Sequence, residues 1–412
     1  VSGVGIPSRR YAGPRWGTFA PKHQPLLSRA FGKGGLARSW DWLLILVACG
    51  LTGLGTMLVW AATEPALRAA GADPHTYLKK QMLWGVLGLL LMFTVASIDY
   101  RRYRKWTPLI YGASLLLLLA VLSPAGASVN GAKAWIALPG GFQIEPSEFA
   151  KLGLILATAY VLSRRRFDEM RPEQESGRPR MVDVLIAFVA AAPLILLVQR
   201  EPALGVMLVL VAVLAAMIVV SGIRLYWVGT LTVAAAGAVY AMSRSHLLKG
   251  YQLTRLTSFL HPAKDLAGTG YNGIEAKIAI GSGGMTGQGL FHGTFTGGSF
   301  VPSVQTDFIF TVAGEELGFV GCAVIVGLLG IVVFRAIRIA GQADDMFGML
   351  VAAGVATWFL FQSFVNIGMT IGITPITGLP LPFVSYGGSA IFADMIAIGL
   401  LQSVRRHHSV FE

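Results

Sequence analysis

Thr306-Asp-Phe-Ile-Phe-Thr-Val-Ala-Gly-Glu-Glu-Leu-Gly318 runs straight into Phe319–Phe334, a stretch that is almost wholly apolar. Read together, residues 308–334 are long enough to cross a bilayer, which needs about 20 apolar residues in a helix. They are not uniformly greasy, because Asp307 stands at the lip and Glu315 and Glu316 lie inside. At 1.5 Å per residue the glutamates sit roughly 12 Å along the axis from the aspartate. The rest of the chain makes the same case for a membrane. Of 412 residues 54% are hydrophobic and 13% charged, against roughly 25% charged in soluble domains. Cys49 and Cys322 both fall in apolar runs, so the chain offers neither a disulfide framework nor cysteine metal spacing. The scattered histidines make no metal site.

The expected fold is an all-α integral membrane protein of about ten transmembrane helices. The apolar segments are 42–62, 81–98, 106–124, 149–163, 183–199, 203–221, 224–242, 308–334, 346–369 and 383–404. The first is too long for a signal-peptide core and follows a basic tail, so it reads as a span. Orientation comes from Lys and Arg, which cytoplasmic loops retain. With the N-terminus inside, 22 of the 33 basic residues fall on the inner side. Both termini are then cytoplasmic, and the loop 243–306 between the seventh and eighth spans is extracytoplasmic. The net charge of +12 is thus a topology signal with some attraction to anionic membrane lipid, and no nucleic-acid partner is expected. Residues 1–40 read as a disordered basic tail, 41–406 as the membrane domain, and 407–412 as a short cytoplasmic end.

Long loops are usually functional or disordered. Within 243–306 the apolar residues around Lys249 and Arg255 suit a helix in the headgroup layer. The glycines of Ile278-Ala-Ile-Gly-Ser-Gly-Gly-Met-Thr-Gly-Gln-Gly-Leu290 suit a cleft wall, a moving lid, or simple close packing of backbones. No nucleotide-binding fingerprint fits them. Asp307 could cap the eighth span, although Thr306 could do so too. Glu315 and Glu316 cannot be caps, and intramembrane acids mark either a site or an ion pair between helices.

A second constellation is Gln143-Ile-Glu-Pro-Ser-Glu-Phe-Ala-Lys-Leu152. Pro146 suits the first turn of a helix, and Glu148 and Lys151 are then three apart on one face and can pair. The pair is either structural or a phosphate-holding device. Lys133 and Trp135, in Asn130-Gly-Ala-Lys-Ala-Trp-Ile136, add a cation and an interfacial aromatic on the same side.

In this order, between spans, these motifs resemble the SEDS (shape, elongation, division and sporulation) family, the RodA/FtsW-type bacterial cell-wall synthases. The resemblance rests on the segments above together with Arg255-Leu-Thr-Ser-Phe-Leu-His-Pro262, Ala279-Ile-Gly-Ser-Gly-Gly284 and Gly378-Leu-Pro-Leu-Pro-Phe-Val-Ser-Tyr-Gly-Gly-Ser389. Gly378-Leu-Pro-Leu-Pro looks more like the elongation (RodA) branch than the division branch. The resemblance implies a peptidoglycan glycosyltransferase polymerising lipid II at the outer face of the bacterial cytoplasmic membrane. It also implies a functional carboxylate at Asp307 and a class B penicillin-binding protein as partner. Where the family has Pro-Glu-x-His this chain has Pro302-Ser-Val-Gln305. Ala203 replaces an expected Asp, and Ala134 an expected Arg. Glu148, with Glu201 as a substitute, is then expected to partner Lys151.

Asp307 is therefore expected to be the general base that takes the acceptor hydroxyl's proton as it attacks the donor's anomeric carbon. Lys151, Arg255 and Lys133 are expected to face the departing pyrophosphate, with a divalent cation (Mg or Mn) as a possible helper and no organic cofactor. Glu148, Trp135, Glu315, Glu316 and Ser385 complete the expected substrate-binding set. Two other classes compete: a transporter of lipid-linked precursors, and a non-catalytic scaffold for the penicillin-binding protein.

Overall fold

Asp41 starts the membrane domain by capping its first helix, its Oδ1 accepting the Leu44 N–H at 3.2 Å. The computed structural model describes residues 40–124, 126–129, 132–138, 142–164, 179–201, 203–223, 229, 269–297 and 303–408. Along them run α1 (Trp42–Ala69), α2 (Thr76–Ser97), α3 (Tyr100–Leu122), strands β1 (Gly126–Val129), β2 (Ala132–Leu138) and β3 (Phe142–Ile144), and α4 (Pro146–Ser163). Then follow α5 (Met181–Arg200), α6 (Leu204–Val220), α7 (Thr269–Ser282), α8 (Thr294–Gly297), α9 (Ile309–Glu316), α10 (Gly318–Gln342), α11 (Met346–Ile371) and α12 (Gly388–His408).

Every apolar segment read from the sequence falls on one or two of these helices, except 224–242, of which only residue 229 is described. Among the described residues six helices (α1, α2, α3, α5, α10 and α11) are long and apolar enough to span a membrane, and α6 is a shorter apolar helix. Two classes of wall follow from burial. α3 exposes Leu109, Leu116 and Leu119 along its length, whereas α11 and α4 are buried almost throughout. A helix apolar all round is an interior helix, and α4 and α11 pack on each other at the centre of the bundle.

Three departures from the expected fold bear on the site. The chain between α3 and α4 adds a three-stranded antiparallel sheet in the order β1-β2-β3 to an otherwise helical domain. In it Trp135 pairs with Ala127, and Ile136 with both Gly126 and Ile144. Second, the loop preceding Asp307 contains helix α7, which packs on α9 and α11. Third, the span expected at 308–334 is broken into α9 and α10 at Leu317–Gly318. Gly318 has φ +67°, and a Cβ there would come 2.3 Å from the Gly287 nitrogen. Glycine alone tolerates both that dihedral and that approach. The glycine-rich segment is thus a backbone-to-backbone seam. Gln288 and Gly289 donate to the Glu315 and Glu316 carbonyls at 2.9 and 3.0 Å, and Phe319 donates to Gly284 at 2.9 Å. Of the three readings of those glycines, close packing is the one the geometry displays.

Candidate active site

The turn 303–308 brings Asp307 to the start of α9, and other elements hold it there. The Tyr386 N–H donates to the Gln305 carbonyl at 2.9 Å. The Ser385 hydroxyl donates to the Thr306 carbonyl at 2.6 Å. Asn366 Nδ2 donates to the carbonyls of Asp307, at 2.9 Å, and Leu379, at 2.6 Å. Asp307 itself is half-buried, with Oδ2 where a Cβ on Gly378 would lie within 3.3 Å. It is not the helix cap considered above: Phe308 occupies that position, without a side-chain cap bond.

Asn366 belongs to a stripe on α11, spaced four residues apart so that one face presents Trp358, Gln362 and Asn366. Gln362 Oε1 accepts from Trp358 Nε1 at 2.6 Å and from Lys151 Nζ at 2.9 Å, while its Nε2 donates to the Pro380 carbonyl at 2.8 Å. Lys151 also donates to Glu148 Oε2 at 2.7 Å and lies 4.5 Å from the Trp358 ring centroid. The stripe thus ties the ammonium on α4 to the 378–381 segment and, through Asn366, to the backbone of Asp307.

That segment carries strain as well. Phe383 has φ +65°, a left-handed conformation that bulky residues rarely adopt. Its N–H donates to Asp394 Oδ2 at 2.9 Å. Two further prolonged contacts line the same side, Tyr386 against Tyr77 at 4.8 Å and against Trp84 at 4.9 Å between ring centroids.

The expected site residues therefore separate. Asp307, Glu148, Lys151 and Ser385 belong to one connected network. Glu148 and Lys151 are 0% exposed and pair with each other inside the bundle. Ser385 is likewise buried as a backbone tie. Glu201, expected as a substitute partner for Lys151, makes no side-chain hydrogen bond among the described residues: both its carboxylate oxygens are buried and unpartnered. Lys151 is satisfied without it. Glu315 is bound to a different segment, its Oε1 accepting from Phe295 N at 2.8 Å and Thr294 Oγ at 3.3 Å. Glu316 is buried beside it, one oxygen unpartnered. Trp135 is half-buried on β2. Lys133 is placed there only by its backbone, and Arg255 lies outside the described residues. Cys49 and Cys322 are free. Among the described residues no group of three His, Cys, Asp or Glu is arranged to hold a metal ion.

Sequence reasoning passed over Gln362 and Asn366, although amides four apart inside an apolar span are a signal in themselves. It also passed over Glu145, which immediately precedes α4. Burial and then the charge of Glu148 push its carboxyl up to about 8. Burial and then Glu145 push Glu201, in the connection after α5, up to about 9.

These features describe a polytopic helical membrane protein with a half-buried carboxylate and an interior ion pair, both tied to α11. More particularly, the chain belongs to the FtsW/RodA/SpoVE family of cell cycle proteins, whose model matches residues 41–410. It is 36% identical over 370 residues to the probable peptidoglycan glycosyltransferase FtsW of Trichlorobacter lovleyi, covering 89% of this chain and 93% of that one. The peptidoglycan glycosyltransferase RodA of Treponema pallidum is 33% identical, with 88% and 97% covered. Among solved structures, a chain from a peptidoglycan synthase complex coordinating polymerization and crosslinking superposes with a TM-score of 0.72 at 32% identity, covering 90% and 99%. The rod-shape-determining protein RodA of Thermus thermophilus does so with a TM-score of 0.64 at 30% identity, covering 90% and 98%.

Proposed function

We propose that this chain polymerises lipid II, a disaccharide carried on polyprenyl pyrophosphate, into peptidoglycan glycan strands, with Asp307 as the general base. The observation that carries this reading is the mounting of Asp307: a half-buried carboxylate on a turn whose carbonyls at 305, 306 and 307 are each held by a different side chain or amide. A base must be held within hydrogen-bond reach of the proton it takes, and such a turn supplies that fixity.

In the reaction the acceptor's 4-hydroxyl gives its proton to Asp307 while its oxygen bonds to the donor's anomeric carbon. The bond from that carbon to the pyrophosphate oxygen breaks, polyprenyl pyrophosphate departs, and attack from the opposite face inverts the centre to a β-linkage. The polyprenyl chains stay in the bilayer and the sugars outside, which assigns the Asp307 end to the extracytoplasmic face of the bacterial cytoplasmic membrane. Lys133 and Arg255 are the cations proposed for the pyrophosphate. Lys151, being enclosed, is proposed to act through Gln362 as a positioning residue. The partner proposed is a class B penicillin-binding protein that cross-links the strands, and the cellular role is elongation, on the strength of Gly378-Leu-Pro-Leu-Pro382.

The test is a gel assay for glycan strands with purified chain and lipid II, with and without the transpeptidase. Wild-type protein is expected to yield polymer and Asp307→Asn none, at unchanged thermal stability and partner binding. Polymer from Asp307→Asn at the wild-type rate would remove the base assignment. No polymer from the wild type in either condition would leave a scaffold. Depletion in growing rods is expected to give rounding; filaments with blocked septa would assign the chain to division.

A further inference from the structure

Glu145 has no part in the mechanism above, yet it is held as firmly as Asp307. It immediately precedes Pro146, the first residue of α4. Its own N–H donates to Ser389 Oγ on α12 at 2.9 Å, and Ser147 Oγ donates to its Oε1 at 3.1 Å. Part of its surface stays open, unlike Glu148 and Lys151. Charged groups from several elements surround it. Asp307 lies within electrostatic reach from the turn before α9, Glu148 and Lys151 from its own helix, and Glu201 from the connection after α5. Asp394 on α12 faces the Lys151–Glu148 pair.

These groups cannot all be ionised. Lys151 is the one ammonium among them and is already committed to Glu148 and Gln362. Glu201 is 0% exposed with neither carboxylate oxygen partnered, and an isolated carboxylate so enclosed takes a proton instead of bearing charge. Glu145 is crowded by the same acids. Where like groups share a site, their environments drive them into different protonation states, and those states set acid and base roles. Both are partly open, Asp307 on the turn before α9 and Glu145 beside the fully buried Glu148.

We propose that Glu145 is a second working carboxyl of the site, donating a hydrogen bond to an anionic oxygen of the substrate's pyrophosphate while Asp307 accepts the acceptor's proton. The inference rests on the reading of Asp307 given above. A neutral carboxyl at 145 supplies a donor in a neighbourhood of acids that would otherwise repel a pyrophosphate. Burial and the Glu148 carboxylate beside it favour that neutral form. Glu145 takes up the proton from solvent, consistent with its open surface, and it is not consumed in the reaction.

The experiment is a pH series of kcat/KM for lipid II polymerisation by the full chain, from about pH 6 to about pH 10, on either side of the range in which such a group titrates. The wild type is expected to lose kcat/KM as pH rises through about 8, where Glu145 gives up its proton. Glu145→Ala is expected to lower kcat/KM roughly 10- to 100-fold at neutral pH, the usual worth of a hydrogen bond to a charged group, chiefly through KM. Glu145→Gln, which donates without titrating, is expected to recover most of that loss and to erase the alkaline fall. An unchanged alkaline fall in Glu145→Gln overturns the proposal, as does wild-type kcat/KM in Glu145→Ala. If Glu145→Ala fails to fold, the Gln profile decides alone. Failure of the Asp307 reading shows separately, as polymer from Asp307→Asn across the whole range.

Discussion

The two ends of α12 handle buried charge in opposite ways. Near its C-terminus Asp41 is 1% exposed and fully answered. Arg335 Nε donates to its Oδ2 at 2.7 Å, Arg405 Nη1 at 2.6 Å, and Gln402 brackets its backbone with two hydrogen bonds of 2.9 Å. Near the N-terminus of the same helix Glu145, Glu148, Glu201, Asp307 and Asp394 gather with Lys151 as the one ammonium among the described side chains there. Unpartnered oxygens remain on Glu148, Glu201, Asp394 and Asn366. Buried polar groups in native proteins are almost always paired, and exceptions ask for an explanation. Charge that only fastens helices is saturated, as at Asp41. Charge left incompletely answered belongs to the end where a substrate is proposed to arrive.

The comparison breaks first at Asp307. Asp307→Asn is expected to cut polymerisation by about 10²- to 10⁴-fold, the usual worth of a general base, with no change in melting temperature. The converse is expected at the other end. Asp41→Ala leaves two guanidiniums facing each other without their carboxylate, a change worth about 3 kcal/mol when a buried pair is broken. Melting in detergent should show that loss, while the polymerisation rate per folded molecule stays at the wild-type level. A catalytic defect at Asp41 with no loss of stability would erase the distinction between the two ends.

Asn366→Ala sharpens it. The change deprives the Asp307 and Leu379 carbonyls of their shared donor, and unmade buried hydrogen bonds cost roughly 1–3 kcal/mol each. Because the turn carrying the base loosens, kcat per folded molecule is expected to fall about 10-fold with KM nearly unchanged. A purely structural amide would lower the melting temperature and leave that kcat intact.

Much of this arrangement was legible in the sequence, and the rest was hidden for definite reasons. The spans follow from apolar runs because an enclosed backbone in lipid must satisfy itself as a helix. Glu148 and Lys151 pair because three residues on a helix is a local distance, and the structure closes it at 2.7 Å. The break at Gly318 was illegible. It depends on Gly283 and Gly287, some thirty residues earlier in the chain, meeting the carbonyls of α9, and no local pattern reports such a meeting. The sheet at 126–144 is too short for a two-residue alternation to stand out from an ordinary loop. Glu145 was on the page in Glu145-Pro-Ser-Glu148, but what distinguishes it from its neighbour is burial and company, which only the folded chain supplies.

The smallest effect expected concerns Glu201, and it tests whether the unanswered acids are held neutral. Burial pushes its carboxyl up to about 9 in the folded protein, against about 4.3 in an unfolded chain. A group whose folded value is raised contributes its full share of stability below the unfolded value and loses it as pH climbs through the folded one. Wild-type melting temperature should therefore decline between about pH 5 and about pH 9 in part because of this residue. Glu201→Gln cannot ionise in either state, so its melting temperature should fall less steeply over that window and differ little from wild type at the acidic end. Identical slopes would mean that Glu201 is ionised in the folded protein. The site would then have to supply a counter-charge to a buried carboxylate whose two oxygens make no hydrogen bond among the described residues.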